Sequence, residues 1–272
     1  AFGGAARSLF LNGYETVNLA TGVSASGNQL INAINLQGDA AAATVLNISG
    51  ANSLTTAVTG VITAGSINAS GLTGTAALVM GAAAVGATSI TGGAGADRLR
   101  SAATGTLIEA GAGNDTLDGG VAADTLRGGA GNDSITAGGG NDTIDGGEGN
   151  DRIDLAATLT AADTIDGGVG TNTAVISAAV ASAAIGARLS NIQILETSAA
   201  AQDMSVFGNT TITTSAESGA ALAVTNAGAT LNTFNTTAAV GNIGSSFRRA
   251  TDTAADALTI NAGAALAATS NL

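Results

Sequence analysis

The 272-residue sequence contains no cysteine, proline, histidine, tryptophan or lysine, and aromatic residues make up only 2% of it. Without cysteine, the chain can form no disulfide and has no thiol chemistry. Of the side chains that most often serve as general acids, general bases or nucleophiles, it has one tyrosine, Tyr14, besides carboxylates and hydroxyls. We therefore expect a protein that is not an enzyme.

Basic residues are also scarce: there are eight, all arginine, against 20 acidic residues, and the net charge is −12. Such a chain is poorly suited to bind nucleic acid or an anionic membrane surface. The longest uninterrupted apolar run, Ala76–Ala87, spans 12 residues and is too short for a transmembrane segment. The sequence shows no signal segment and does not begin with Met. We expect either a processed piece or an export signal elsewhere, with the surface anchor also supplied elsewhere.

Small residues are abundant instead. The chain has 40 glycines, and its apolar fraction of 45% is mostly alanine with valine, leucine and isoleucine. So few large side chains predict a slender core closed by many short strands. Strand-like pieces such as Leu258–Asn261 recur in 1–91 and 173–272, which we predict to be arms of irregular parallel β-solenoid. An alanine-rich helix at 178–188 is an open alternative, and 245–256 is expected to be a solvated loop or a contact loop.

The acidic residues concentrate in residues 92–168, which hold 13 of the 20. Read in nines from Gly92, the stretch gives GGAGADRLR, SAATGTLIE, AGAGNDTLD, GGVAADTLR, GGAGNDSIT, AGGGNDTID and GGEGNDRID. The eighth position is always apolar: Leu99, Ile108, Leu117, Leu126, Ile135, Ile144 and Ile153. The sixth position is Thr106 in the second copy and aspartate in the others: Asp97, Asp115, Asp124, Asp133, Asp142 and Asp151. After a three-residue insertion the pattern resumes at Asp163, and a last copy, GGVGTNTAV, has Asn172 at this position.

These residue types suggest a metal site. Glycines tolerate positive φ, so each turn can be tight and can aim its carbonyl oxygens at one point. Two nonapeptides complete one coil, so the aspartates are predicted to form two columns: Asp97, Asp115, Asp133 and Asp151 on one side, and Asp124, Asp142 and Asp163 on the other. A cage made only of oxygen atoms suits Ca²⁺ and fits Zn²⁺ or Cu²⁺ poorly. The alternative is that the aspartates only form Asx-turns within a solenoid.

The repeat resembles the RTX (repeats-in-toxin) nonapeptide, which binds calcium in a parallel β-roll. This resemblance implies several Ca²⁺ ions as cofactors. It also implies that backbone carbonyls at the second and fourth positions are ligands: Gly93, Gly95, Gly111, Gly113, Gly129, Gly131, Gly138, Gly140, Gly147 and Gly149.

A wider resemblance rests on two similar segments, NGYETVNLATG (12–22) and SNIQILETSAA (190–200), the second of which follows DGGVGTNTAVIS (166–177). With the nonapeptides, these resemble RTX surface-layer proteins of the Caulobacter type, in which a DGGxGTDTL turn leads to a G-apolar-E-x-L strand. The resemblance implies type I secretion, an extracellular place at the bacterial cell surface, and self-assembly into a lattice or fibre. Taken alone, Glu15, Gln193 and Glu196 are expected to be exposed strand residues.

The expectation is therefore an all-β protein with three regions: an irregular arm (1–91), an RTX β-roll (92–172) and a second irregular arm (173–272). Its expected function is that of a structural subunit in a secreted, calcium-stabilised bacterial surface layer or surface fibre. A calcium-dependent adhesin segment and an accessory RTX module of a secreted enzyme are the alternatives.

Overall fold

The computed structural model of the chain describes these residues: 7–12, 15–21, 29–37, 44–56, 62–81, 83–84, 86–101, 104–155, 159–176, 189–197, 201–203, 211–214, 223–227, 233–236, 248–249 and 259–262. The N-terminal strands are β1 (Arg7–Asn12), β2 (Thr16–Thr21), β3 (Gln29–Gln37), β4 (Val45–Gly50), β5 (Leu54–Thr56), β6 (Ile62–Thr63), β7 (Ser66–Leu72), β8 (Leu78–Val79) and β9 (Ser89–Thr91). The nonapeptide region contains β10 (Arg98–Arg100), β11 (Leu107–Ala112), β12 (Thr116–Asp118), β13 (Thr125–Ala130), β14 (Ser134–Thr136), β15 (Thr143–Glu148), β16 (Arg152–Asp154) and β17 (Thr164–Asp166). The later strands are β18 (Thr173–Ile176), β19 (Leu189–Ser190), β20 (Ile194–Thr197), β21 (Ala201–Asp203), β22 (Thr211–Thr214), β23 (Ala223–Ala227), β24 (Thr233–Thr236), β25 (Arg248–Arg249) and β26 (Thr259–Ala262).

These strands pair in parallel, and in the nonapeptide region consecutive strands belong to opposite sheets. One sheet has the order β1-β3-β5-β8-β10-β12-β14-β16-β18-β20-β22-β24-β26, with β6 also paired to β3. The second has the order β19-β17-β15-β13-β11-β9-β7-β4-β2, and β21-β23-β25 form a third. The chain therefore winds as a solenoid in which each coil of the nonapeptide region adds one strand to each of the two long sheets.

The core of the nonapeptide region is two columns of aliphatic side chains, one column in each sheet. In the first sheet Leu99 pairs with Leu117, Leu117 with Ile135, and Ile135 with Ile153. In the second sheet a corresponding column contains Ile90, Ile108, Leu126, Ile144 and Ile165, each paired with the next. Each of these side chains is at most 1% exposed, and burying one contributes roughly 1.5–3 kcal/mol. Each coil of this slender core buries few large side chains, so the core is stable because the same contribution recurs in every coil.

Arginines on the outer faces pair with acidic residues of other coils. Arg100 contacts Asp118 at 2.9 Å and Arg127 contacts Glu109 at 2.6 Å, in each case across one strand pairing. Arg152 contacts Glu196 at 2.7 Å, so Glu196 is a partly exposed residue with a charge partner. Exposed ion pairs of this kind contribute about 1 kcal/mol or less each.

The predicted fold class, an all-β parallel solenoid, is confirmed. Strand β26 (Thr259–Ala262) overlaps the predicted piece Leu258–Asn261 and is shifted by one residue. Arg248 and Arg249 form strand β25 and pair with β23, so the prediction of a loop over 245–256 is wrong at these two residues. The alternative of a helix at 178–188 falls outside the described residues. No helix in the described part of the chain is long and apolar enough to cross a membrane.

Two glycines of opposite turns give a matched test of the turn geometry. Gly131 has φ +132°, and a Cβ built there would collide with the carbonyl oxygen of Gly113. Gly139 lacks a positive φ, and a Cβ there would meet nothing closer than the carbonyl oxygen of Val121 at 3.8 Å. We expect Gly131→Ala to lower the free energy of unfolding by at least about 1–2 kcal/mol and Gly139→Ala by less than ~0.5 kcal/mol. Urea unfolding with calcium present measures both, and equal losses would contradict this account.

Candidate metal centre

The glycines of the nonapeptide turns adopt the backbone conformation that their residue type allows. Positive φ values occur at the second and fourth positions of five successive turns: Gly111, Gly113, Gly120, Gly129, Gly131, Gly138, Gly140, Gly147 and Gly149. Ala122 occupies the remaining fourth position. Gly93 and Gly95 of the first copy lack positive φ, and a Cβ built on them would lie closest to the carbonyl oxygens of Ala69 and Ala76 in the preceding arm. The regular turn geometry therefore begins one coil after Gly92.

The first predicted column of aspartates is a hydrogen-bonded ladder. The backbone N–H of Asp97 donates to Oδ1 of Asp115 at 2.7 Å, and that of Asp115 donates to Oδ1 of Asp133 at 2.7 Å. The N–H of Asp133 donates to Oδ1 of Asp151 at 2.8 Å. Each carboxylate thus accepts a bond from the backbone of the coil before it, 18 residues earlier.

The second column has the same construction on the opposite edge of the solenoid. The N–H of Thr106 donates to Oδ1 of Asp124 at 2.7 Å, and that of Asp124 donates to Asp142 at 2.9 Å. The N–H of Asp142 donates to Oδ1 of Asp163 at 2.7 Å across 21 residues, which span the insertion. The structure therefore brings the seven aspartates together in the two columns that the spacing predicts.

Most carboxylates of the two columns have one oxygen atom with no partner. All seven aspartates are 1–3% exposed. Oδ2 is buried without a hydrogen-bond partner in four of them: Asp115, Asp124, Asp133 and Asp151. A buried polar atom left unpaired costs about 1–3 kcal/mol, and more if it is charged. A cation would satisfy these four oxygens, so the residues fit a bound metal ion.

Backbone carbonyls provide further oxygen atoms beside the carboxylates. A Cβ on Gly129 would collide with the carbonyl oxygen of Gly111, and one on Gly147 with that of Gly129. The same contact joins Gly131 to Gly113, so the turn carbonyls are stacked along the column from coil to coil. Carboxylate and carbonyl oxygens without nitrogen or sulfur are the ligands of Ca²⁺. The assignment of the second- and fourth-position carbonyls as ligands stays a prediction.

In the described part of the chain, no three acidic side chains converge on one point. The aspartates are stacked along the solenoid at a parallel-strand spacing of about 4.8 Å, so two of them flank each gap between coils. An ion held there would complete its shell with carbonyl oxygens or water. This arrangement differs from a compact cluster of carboxylates around a single ion.

Burial raises the pKa of aspartates in both columns. Desolvation raises the pKa of Asp115 to about 7, and the charges of Asp133 and Asp97 add to the effect. The same cause raises the pKa of Asp124 and of Asp133 to about 6. The pKa values of three others are also raised by burial: Asp97, Asp142 and Asp151. Protons therefore compete with any cation for these carboxylates near neutral pH.

The first column continues past its aspartates. The N–H of Asp151 donates to Oδ1 of Asn172 at 2.9 Å, and the N–H of Asn172 donates to Oε1 of Gln193 at 2.7 Å. The expectation that Gln193 is simply an exposed strand residue is therefore wrong: it is half-buried and accepts the next bond of the ladder. The sequence signal for this role is the spacing: Gln193 follows Asn172 by 21 residues, as Asn172 follows Asp151.

A second, exposed ladder runs beside the first column and is absent from the sequence-based expectations. At the fifth repeat position, Oδ1 of Asn114 accepts from the N–H of Asn132 at 2.9 Å, and Oδ1 of Asn132 accepts from Asn150 at 2.7 Å. Oδ1 of Asn150 accepts from Thr171 at 2.7 Å. The recurring Asn-Asp pair in the sequence was the available signal.

This geometry of stacked glycine turns and aspartate columns defines a parallel β-solenoid with a repeated turn whose oxygen atoms fit a cation. Residues 86–103, 107–126 and 118–153 match the family model of the RTX calcium-binding nonapeptide repeat, which describes four copies. No curated protein and no solved structure matches the chain. The chain therefore contains calcium-binding RTX repeats, a module typical of secreted proteins.

The raised pKa values predict how pH acts on the calcium-free protein. The folded pKa values of Asp115 (about 7), Asp124 and Asp133 (about 6) exceed the ordinary value of 3.8, so between these limits the folded state binds more protons than the unfolded state. The stability that protonation gives is present at low pH and is lost as pH rises through 6 to 7, so the melting temperature should fall from about pH 5 to about pH 7.5.

With about 5 mM calcium the trend should reverse, because Ca²⁺ binds the deprotonated carboxylates. Thermal unfolding followed by circular dichroism, with and without calcium across this pH range, measures both trends. A calcium-free melting temperature that rises with pH would contradict the pKa assignments.

Proposed function

We propose that the chain is a calcium-stabilised structural rod, a non-enzymatic subunit of a secreted bacterial surface layer or surface fibre. The observation that carries the proposal is the set of four buried carboxylate oxygens without partners, all within the two columns. These oxygens raise the free energy of the folded state when no cation is bound, and a bound cation would lower it. The proposed role of Ca²⁺ is therefore to fold and stabilise the rod.

The short strands explain why the rod would need the metal. Strands β10, β12, β14 and β16 have three residues each, so each offers few backbone bonds and one inward side chain. The carboxylates of successive coils repel one another when charged. If ions link successive coils, their binding free energy becomes folding free energy. Extracellular calcium modules bind at roughly 10⁻⁴–10⁻³ M, so a rod of this kind would stay loose inside a cell and fold outside it.

A structural rather than catalytic role is supported by where the acidic groups lie. The seven column aspartates are buried, and each accepts a backbone hydrogen bond, so none of them faces open solvent as a general acid or base would need to. The composition points the same way, because histidine, lysine and cysteine are absent. Repeated parallel coils instead form a stiff, regular surface against which further copies of the chain can pack.

Calcium removal and return tests the proposal on one sample. A chelator removes calcium, about 1 mM calcium restores it, and circular dichroism and negative-stain microscopy follow both steps. We expect the β-signal and ordered sheets or filaments to disappear and return together. If the fold returns but the particles stay single, the lattice role is wrong and an adhesin segment or enzyme accessory module takes its place. If neither changes, calcium has no role in this chain.

Two aspartate variants separate the column from the surface charge. Asp133→Asn keeps the size and the Oδ1 acceptor that Asp115 uses but removes the charge beside the unpartnered oxygen. Asp145→Asn makes the same change of charge at an exposed position of β15. We expect Asp133→Asn to weaken calcium binding by roughly tenfold or more, about 1.4 kcal/mol, and Asp145→Asn to change it by less than about twofold. Titration calorimetry measures both, and similar affinities in the two variants would rule out a site at the column.

A further inference from the structure

Each column reaches a point where a neutral side chain replaces aspartate. The first column passes from Asp151 to Asn172, which is 0% exposed. The second begins with Thr106, which is 3% exposed and lies one coil before Asp124. Both replacements stay in register with the ladder, so what changes at these points is the chemistry of one buried side chain.

The amide of Asn172 makes contacts that an aspartate cannot make. Its Oδ1 accepts from Asp151, as a carboxylate would, but its Nδ2 donates to the carbonyl oxygens of Asn191 at 3.1 Å and Gly168 at 3.4 Å. Gly168 holds the second position of the same turn. In the other copies the carbonyl at this position is a predicted ligand for the ion. At Asn172 a side-chain nitrogen donor contacts this carbonyl, whereas the equivalent carbonyls of Gly120 and Gly147 accept a backbone N–H.

The position of that nitrogen matches the position of the unpartnered oxygens. A Cβ on Gly167 would lie 2.8 Å from Nδ2 of Asn172. At the equivalent first position one coil earlier, a Cβ on Gly146 would lie 2.6 Å from Oδ2 of Asp151. The amide nitrogen thus occupies the place that an unsatisfied carboxylate oxygen occupies in the preceding turn.

Thr106 contacts the carbonyl oxygens of its turn with a hydroxyl group instead of an amide. Its Oγ1 lies within hydrogen-bond distance of the carbonyl oxygens of Thr104, at 2.8 Å, and Ala87, at 2.9 Å. Thr104 holds the fourth position of this repeat, the other predicted ligand position. The hydroxyl of Ser101 lies 2.9 Å from Oγ1 of Thr106 and donates to Oδ1 of Asp124 at 3.3 Å.

Asp97 and Asp163, at the column ends away from Asn172 and Thr106, differ from the four aspartates that have an unpartnered oxygen. Asp97 accepts from the N–H groups of Leu78 and Gly93, one at each oxygen. Asp163 accepts from Asp142 at Oδ1 and from Thr160 at Oδ2. Each oxygen of these two carboxylates therefore has a hydrogen-bond partner within the protein. The four unpartnered oxygens belong instead to Asp115 and Asp133 and to Asp151 and Asp124, the aspartates next to Asn172 and Thr106.

We propose that Asn172 and Thr106 are caps that end the calcium-binding strip. Each supplies, from a neutral side chain, the partner that an ion supplies to the turn carbonyls elsewhere, so the coils beyond the caps fold without metal. The inference rests on the proposed calcium binding. It limits the ions to the gaps between consecutive aspartates: Asp97–Asp115, Asp115–Asp133 and Asp133–Asp151 on one edge, and Asp124–Asp142 and Asp142–Asp163 on the other.

The test is a gain of binding. Asn172→Asp restores the aspartate pattern at the first cap, and Thr106→Asp restores it at the second. Asn150→Asp is the matched control, because it adds the same charge at an exposed residue whose Oδ1 acceptor is kept. Titration calorimetry and elemental analysis of the dialysed protein measure the number of bound ions. Each cap variant should bind one ion more than the wild type, and the control should bind the same number.

Stability without calcium gives a second readout. The cap variants should melt at a lower temperature than the wild type in calcium-free buffer, because a neutral donor has been replaced by a buried carboxylate, and calcium should restore the loss. A wild type that binds no calcium overturns the proposed function together with the caps. A wild type that binds calcium, with both cap variants binding no additional ion, overturns the caps alone.

Discussion

The hydrogen bond from a backbone N–H to the carboxylate one coil further on is the interaction on which the rest of the structure depends. It lies where the chain passes from turn to strand, and it fixes each coil against the next at a buried point. Because the acceptor is a carboxylate, every coil that is fixed in this way also buries a charge. Register and buried charge are therefore coupled, and a bound cation would relieve the cost of burying that charge.

The turns around this bond are built for close approach. Positive φ at Gly129 and Gly147 lets the backbone lie against the carbonyl of the coil below, where a Cβ would collide. The same stacking brings carbonyl oxygens next to the carboxylates. One backbone geometry therefore provides both the tight winding and the oxygen-rich environment. In contrast, the outer faces carry arginine–acid pairs that contribute little to stability.

The nonapeptide period made most of this predictable. One inward aliphatic residue and one aspartate every nine residues, with two repeats per coil, determine the core columns and the aspartate columns. The acceptor role of Gln193 does not follow from that nine-residue period; its only signal is a 21-residue spacing that repeats the step from Asp151 to Asn172. The strand at Arg248–Arg249 also lacked a signal, since a two-residue strand is defined by its partner and not by its own sequence. Which carboxylate oxygens lack partners depends on three-dimensional packing alone.

The three-residue insertion shows that the contour length of a coil and the pitch of the solenoid are independent. The step from Asp142 to Asp163 uses 21 residues and the step from Asp124 to Asp142 uses 18, yet their ladder bonds measure 2.7 and 2.9 Å. The three additional residues therefore leave the spacing of the ladder unchanged. A chain of this design can therefore gain or lose residues within a coil during evolution, and its surface can change. The spacing of its aspartates along the axis stays the same.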